Sequence, residues 1–118
     1  MTAKEIYENA LALNISRVED EDDMEYFAIK LMNILMAEIF CNNNQIRLKK
    51  GKEPITTPPK ISGITDYIDY EKELYAPMSY ALAAKLLQAQ EETSLAAVYN
   101  NQYVTLLELV TPAVEMEV

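Results

Sequence analysis

The stretch YAPMSYALAAKLLQ, Tyr75 to Gln88, decides how the chain folds. It places four alanines, a serine and a proline where a chain that is 50% hydrophobic would be expected to put its bulkiest core side chains. Ala76, Tyr80, Ala83 and Leu87 recur at helical spacing, with Leu82 and Leu86 flanking that line. Small side chains on one helix allow a second helix to approach closely. The second helix follows at once: Thr93 or Ser94 caps a segment from Ser94 to Val110 with Ala96, Tyr99, Tyr103, Leu106 and Val110 on one face, and Pro112 ends it. The short QEET connection then makes the pair an antiparallel hairpin, with Tyr99 and Tyr103 covering the space the alanines leave. Pro77 lacks an amide hydrogen and crowds the carbonyl four residues earlier, so the first of these helices either starts there or is kinked. A kink within Tyr70–Gln90, with Asp66 or Asp69 as an earlier cap, is the expectation.

Upstream, Thr2 followed by Glu5 is a capping-box pattern, and Ile6, Ala10 and Leu13 share a face, which predicts a helix over Ala3–Leu13. The acidic run Glu19–Asp23 suits a helix N-terminus, where carboxylates complement unpaired amides. It lacks the turn chemistry and distal glutamate of a calcium loop. From there a second helix runs to about residue 41. Met24, Ala28, Leu31, Leu35 and Ile39 form one stripe while Phe27, Ile29, Ile34, Met36 and Phe40 fall on other sides. A helix apolar nearly all round is either central or covered by another subunit. Both glycines, Gly51 and Gly63, and Pro54, Pro58 and Pro59 lie between residues 51 and 63. Residues 42–68 are therefore read as a loop or arm, with room for a short edge β-hairpin at most. The fold class is all-α: one domain, a bundle of about four helices with a hairpin over residues 69–111 and a fraying tail over 112–118.

Ten Lys and Arg stand against 19 Asp and Glu, a formal charge of −9 that disfavours general attraction to nucleic acid or anionic lipid. The lone Cys41 excludes an intrachain disulfide and favours a reducing compartment. The opening MTAKEIYENA has no apolar run like that of a signal peptide, and the apolar segment from Phe27 is too short to span a bilayer, so a soluble intracellular protein is expected. Histidine is absent, which removes the usual general base and the commonest zinc ligand. With two glycines no phosphate-cradling loop can form. The reading is a protein that is not an enzyme, with no catalytic residue, cofactor, metal or small-molecule substrate. An acidic catalytic site at Asp66 or Asp69, near Glu71 and Glu73, is the remainder. One segment reverses the acidic trend: Arg47, Lys49, Lys50 and Lys52 cluster before the breaker-rich loop. They either compensate a helix C-terminus or contact an acidic partner or a phosphate backbone.

The string ELYAPMSYALAAKLLQAQEETSLAAVYNNQYVTLLELV, Glu73 to Val110, resembles the C-terminal half of head-tail connector (adaptor) proteins of tailed phages and prophages. The elements that carry the likeness are Leu82–Leu87, Glu91 and Glu92, Ala96 and Ala97, Tyr99 and Tyr103. The resemblance implies a virion structural protein that forms a homo-oligomeric ring beneath the portal and extends the DNA channel without binding DNA specifically. It also implies docking to tail or stopper proteins, and residence in the host cytoplasm during assembly and then in the virion neck. Hairpin packing would fall to Ala76, Tyr80, Ala83, Leu87, Tyr99, Tyr103 and Leu106, and the channel or partner contact to Arg47, Lys49, Lys50 and Lys52. A contrasting reading of the acidic composition is a small regulatory protein or DNA mimic that occupies the basic groove of a nucleic-acid enzyme.

Overall fold

The computed structural model describes residues 1–14 and 21–113, without the side chains of 21–23. The first helix, α1, spans Ala3–Leu13. Its cap joins the two residues the sequence implies: the Glu5 amide donates to Thr2 Oγ1 at 3.2 Å, and the Glu5 carboxylate reaches back to the Thr2 hydroxyl, which donates to Oε1 at 3.1 Å. Ala3, Ile6, Tyr7 and Ala10 make its buried stripe.

Helix α2 covers Glu21–Glu38 and α3 covers Phe40–Lys49. Ile39 separates them, yet its amide still donates to the Leu35 carbonyl and the Asn43 amide donates to the Ile39 carbonyl, both at 3.0 Å. The helical ladder therefore carries through the junction, and residues 42–49, expected as loop, are helix. Three consecutive asparagines are weak helix formers because their amides compete for backbone groups. Here those amides are engaged elsewhere. Asn42 Nδ2 donates to Thr111 Oγ1 at 3.0 Å, Asn43 Oδ1 accepts the Glu71 amide at 2.8 Å, and Asn44 clamps Ile55. Gly51, at φ 76°, ends α3: its amide donates to the Leu48 carbonyl at 3.0 Å and the Lys52 amide to the Arg47 carbonyl at 2.9 Å, a Schellman closure that needs a left-handed residue.

Residues 51–71 form no hairpin; among the described residues the sole β-type pairing is an isolated bridge between Thr2 and Tyr67. The loop is held by side-chain amides instead. Asn33 accepts from the Ile61 amide at 2.8 Å and donates to its carbonyl at 2.9 Å; Asn44 does the same for Ile55 at 2.9 and 3.0 Å. Each asparagine thus satisfies both polar groups of one loop residue, as a neighbouring strand would.

A short 3₁₀ turn at Lys72–Leu74 leads into α4, Tyr75–Ala89. The start expected at Tyr70 and the kink expected at Pro77 are both corrected. Pro77 is the third residue of α4, within the first turn, where amides have no intrahelical acceptor and a missing one costs nothing. Asp66 caps no helix; its carboxylate closes a turn by accepting the amides of Ser62 and Gly63 at 2.8 and 3.1 Å. These bonds hold the Asp66 carboxyl below its ordinary range.

Helix α5, Thr93–Val110, packs on α4 in the antiparallel sense, with the Tyr80 and Tyr99 rings 5.9 Å apart. The turn repeats the Schellman geometry, the Glu92 amide donating to the Leu87 carbonyl at 2.9 Å, but its left-handed residue is Glu91, at φ 64°. That conformation costs a non-glycine residue roughly 1 kcal/mol or more. Glu91→Gly is expected to raise the urea midpoint by an amount worth about 0.5–1 kcal/mol, with no change in far-UV circular dichroism.

The core answers the question posed by the alanines. Nine of the residues of α4 are buried: Pro77, Met78, Ser79, Ala81, Leu82, Ala83, Ala84, Leu86 and Leu87. The helix enclosed by its neighbours is therefore α4, packed against α1, α2 and α5, and not the second helix, for which the apolar pattern left open a central place or cover by another subunit. Ser79 ties it to α1, donating to the Tyr75 carbonyl at 2.9 Å and accepting from Asn9 Nδ2 at 3.3 Å. Across its Cα positions the molecule measures 51 × 29 × 17 Å. With so thin a third dimension, peripheral helices keep an outer face in water. The acidic run's Glu19 and Asp20, and residues 114–118 of the expected tail, lie outside the described residues. Among those described, no helix is long and apolar enough to cross a membrane.

Candidate functional site

The basic segment sits where α3 ends, and the Schellman turn points it at the residues before α4. There Glu71, only 6% exposed, accepts from Arg47 Nη1 at 3.4 Å, Lys50 Nζ at 3.0 Å and Lys52 Nζ at 2.8 Å. Lys50 also reaches Glu73, at 2.6 Å. Arg47 Nε donates to the Glu53 carbonyl at 2.7 Å, closing the loop over the helix end. Lys49 is exposed and makes no ion pair with a described residue. The hydrogen bond from Lys52, seconded by Lys50, holds the Glu71 carboxyl below its ordinary range against the opposing effect of burial, and Glu73 and Glu71 hold the Lys50 ammonium above its own. Two carboxylates thus absorb three of the four cations.

Beside this network lies an open groove of about 700 Å³. Lys50, Lys52 and Lys72 line it, but so do Glu5, Asp69 and Glu71, together with Tyr67, Tyr70 and Tyr75. With charge of both signs in the lining, the groove presents no field of one sign. Asp66 and Asp69 do not converge there, since Asp66 is occupied by its turn. The described residues bring no three metal-ligating side chains together. The pairing of Glu71 with the basic segment was not read from the sequence, where the two clusters stood apart; the legible signal was the reversal of charge sign between residues 47–52 and 66–73.

Of the residues assigned to the hairpin, Ala83, Leu87 and Tyr103 are buried, Tyr80, Tyr99 and Leu106 half-buried, and Ala76 exposed. The two tyrosines of α5 act through their hydroxyls as well as their rings. Tyr99 donates to the Leu13 carbonyl of α1 and Tyr103 to Glu38 Oε1 of α2, each at 2.8 Å. Lys85 of α4 reaches the other oxygen of Glu38 at 3.3 Å, so one carboxylate joins three helices. Burial and the Glu38 carboxylate push the Tyr103 phenol well above its ordinary range.

Outside this packing, two helices expose large apolar side chains. On α2, Tyr26, Phe27 and Ile34 are 60%, 58% and 57% exposed, with Lys30 lying over the Tyr26 ring at 5.5 Å. On α5, Leu95, Val98, Val104 and Leu109 are exposed, and only Ala96 and Tyr103 are buried. Cys41 is exposed too. Scattered apolar residues are ordinary on a surface; here they recur along two separate helices.

The fold therefore defines an all-α bundle with two apolar helix faces and a neutralised basic cluster. Comparison with known protein families, with curated proteins and with solved structures finds no match.

Proposed function

We propose that the chain is a structural subunit that assembles with copies of itself into a ring, in the setting its Glu73–Val110 stretch suggests: a head-tail connector that docks on a portal and continues the DNA channel toward the tail. The observation that carries the reading is the pair of exposed apolar faces, Tyr26, Phe27 and Ile34 on α2 and Leu95, Val98 and Leu109 on α5. Two different faces on one protomer allow a head-to-tail contact, α2 of one copy against α5 of the next, and such a contact closes into a ring when its rotation permits. The electrostatics agree with a conduit. A chain of net charge −9 whose cations Arg47, Lys50 and Lys52 are neutralised internally lets duplex DNA slide, whereas a basic lining would retain it. The DNA-mimic reading gains no comparable support, because Glu38, Glu71 and Glu73 are occupied by lysines and a tyrosine of the same chain.

Mixed with a portal ring, the purified protein is expected to form closed oligomers by electron microscopy and mass photometry. Phe27→Glu, at an exposed position, should abolish them while changing stability by less than about 0.5 kcal/mol. A wild-type chain that ignores the portal overturns the reading.

A further inference from the structure

Along α5 the residues Leu95, Val98, Gln102, Leu106 and Leu109 follow one another at steps of three, four, four and three. At 100° per residue they form one stripe, about a quarter turn from the line buried against α4. Leu109 is 76% exposed, Val98 54% and Leu95 41%, and Leu106 is half-buried. The spacing is a palindrome about Gln102. We infer that two copies of the chain pair antiparallel through this stripe, with the Gln102 side chains meeting on the two-fold axis. Leu95 then packs on Leu109 of the second copy and Val98 on Leu106, apolar against apolar in both halves. Such self-complementarity is what an isologous contact requires. The two glutamine amides, each donor and acceptor, satisfy one another where they meet, and a polar pair inside an apolar seam fixes register.

Charge identifies the occupant as a second copy. In a protein of net charge −9 any two-fold contact brings like charges together unless the face is neutral. Over its eighteen residues α5 carries one charge, Glu108, roughly 120° around the helix from Gln102 and so off the stripe. A single helix seam lies at the small end of specific interfaces, so the pair is expected to dissociate in the micromolar range. The pairing rests only on the stripe. Under the ring reading it would also keep α5 covered until α2 of a neighbour displaces the second copy.

Sedimentation equilibrium over a micromolar dilution series should show monomer and dimer. Leu109→Glu should weaken the dimer by about tenfold or more, and the double variant Leu95→Lys/Leu109→Glu should recover it, because only the antiparallel register sets the new opposite charges face to face. In a Cys41→Ser background, Gln102→Cys should form an intermolecular disulfide under mild oxidation and Glu108→Cys should not. Phe27→Glu should block rings but keep this crosslink, which separates failure of the ring from failure of the pair. A monomer at every concentration, equal crosslinking at both positions, or a double variant no tighter than Leu109→Glu alone would overturn the inference.

Discussion

Leu82→Ala is expected to lower the free energy of unfolding by about 3 kcal/mol, the largest loss of any single truncation on α4. Leu82 is fully buried at the middle of the one helix that touches α1, α2 and α5. Removing three carbons there forfeits their transfer free energy and leaves a cavity that three helices cannot jointly close, since each is also tied by a directional bond: Asn9 to Ser79, Lys85 to Glu38, Tyr103 to Glu38. For a chain of this size the melting temperature should fall by roughly 10 °C or more. Leu109→Ala, removing the same atoms at an exposed position of α5, should cost under about 0.5 kcal/mol. Urea unfolding of the two variants, with unchanged slope, decides the matter. A loss below about 1 kcal/mol at Leu82 would mean that the surrounding helices collapse into the gap, and that α4 is not the fixed centre of the bundle.

The contrast between these two leucines also shows how far the sequence could be read. Thr2 with Glu5, and the alanines facing Tyr99, act through neighbours close in sequence or through helical periodicity, so α1 and the α4–α5 hairpin were legible. Whether Leu82 or Ile34 is buried depends on which helix the others surround. Both helices are apolar on several sides, and periodicity does not rank them. The helix α3 was hidden for a related reason. Asn42, Asn43 and Asn44 read locally as breakers, and only partners at Thr111, Glu71 and Ile55 turn them into fasteners. The loop before α4 left room for a short edge hairpin at most, since its prolines cannot donate to a ladder; the asparagine clamps make a strand unnecessary. In the candidate site the four cations were visible, but the acceptors that neutralise three of them lie some twenty residues on, and that distance is closed by the Schellman turn at Gly51.

That neutralisation gives the second large effect. Glu71→Ala is expected to cost about 2 kcal/mol at neutral pH, because Arg47, Lys50 and Lys52 lose a shared acceptor that is itself nearly buried. The figure sits below that for a fully buried pair because half of the Lys52 side chain is in water. The pH dependence has a defined sign. The Glu71 carboxyl in the folded chain titrates below its unfolded value of 4.5, so its contribution is complete above that value and is lost as pH falls through the depressed one. Lys50, held above 10.5, contributes fully below that value and loses its contribution as pH rises through the raised one. The stability difference between wild type and Glu71→Gln should therefore be flat between about pH 5 and pH 10, shrink as pH falls below 4.5, and shrink again in alkali above 10.5. Taking the difference removes Asp66 and the other carboxylates, which titrate alike in both chains. A gap that does not diminish as pH falls below 4.5, or none at neutral pH, would show that the cations do not depend on Glu71. The same variant bears on the channel reading. With Glu71 neutral, Arg47, Lys50 and Lys52 present positive charge that only Glu73 offsets, so Glu71→Gln should be retained on duplex DNA at low salt where the wild type passes through, and retention should vanish as salt is raised.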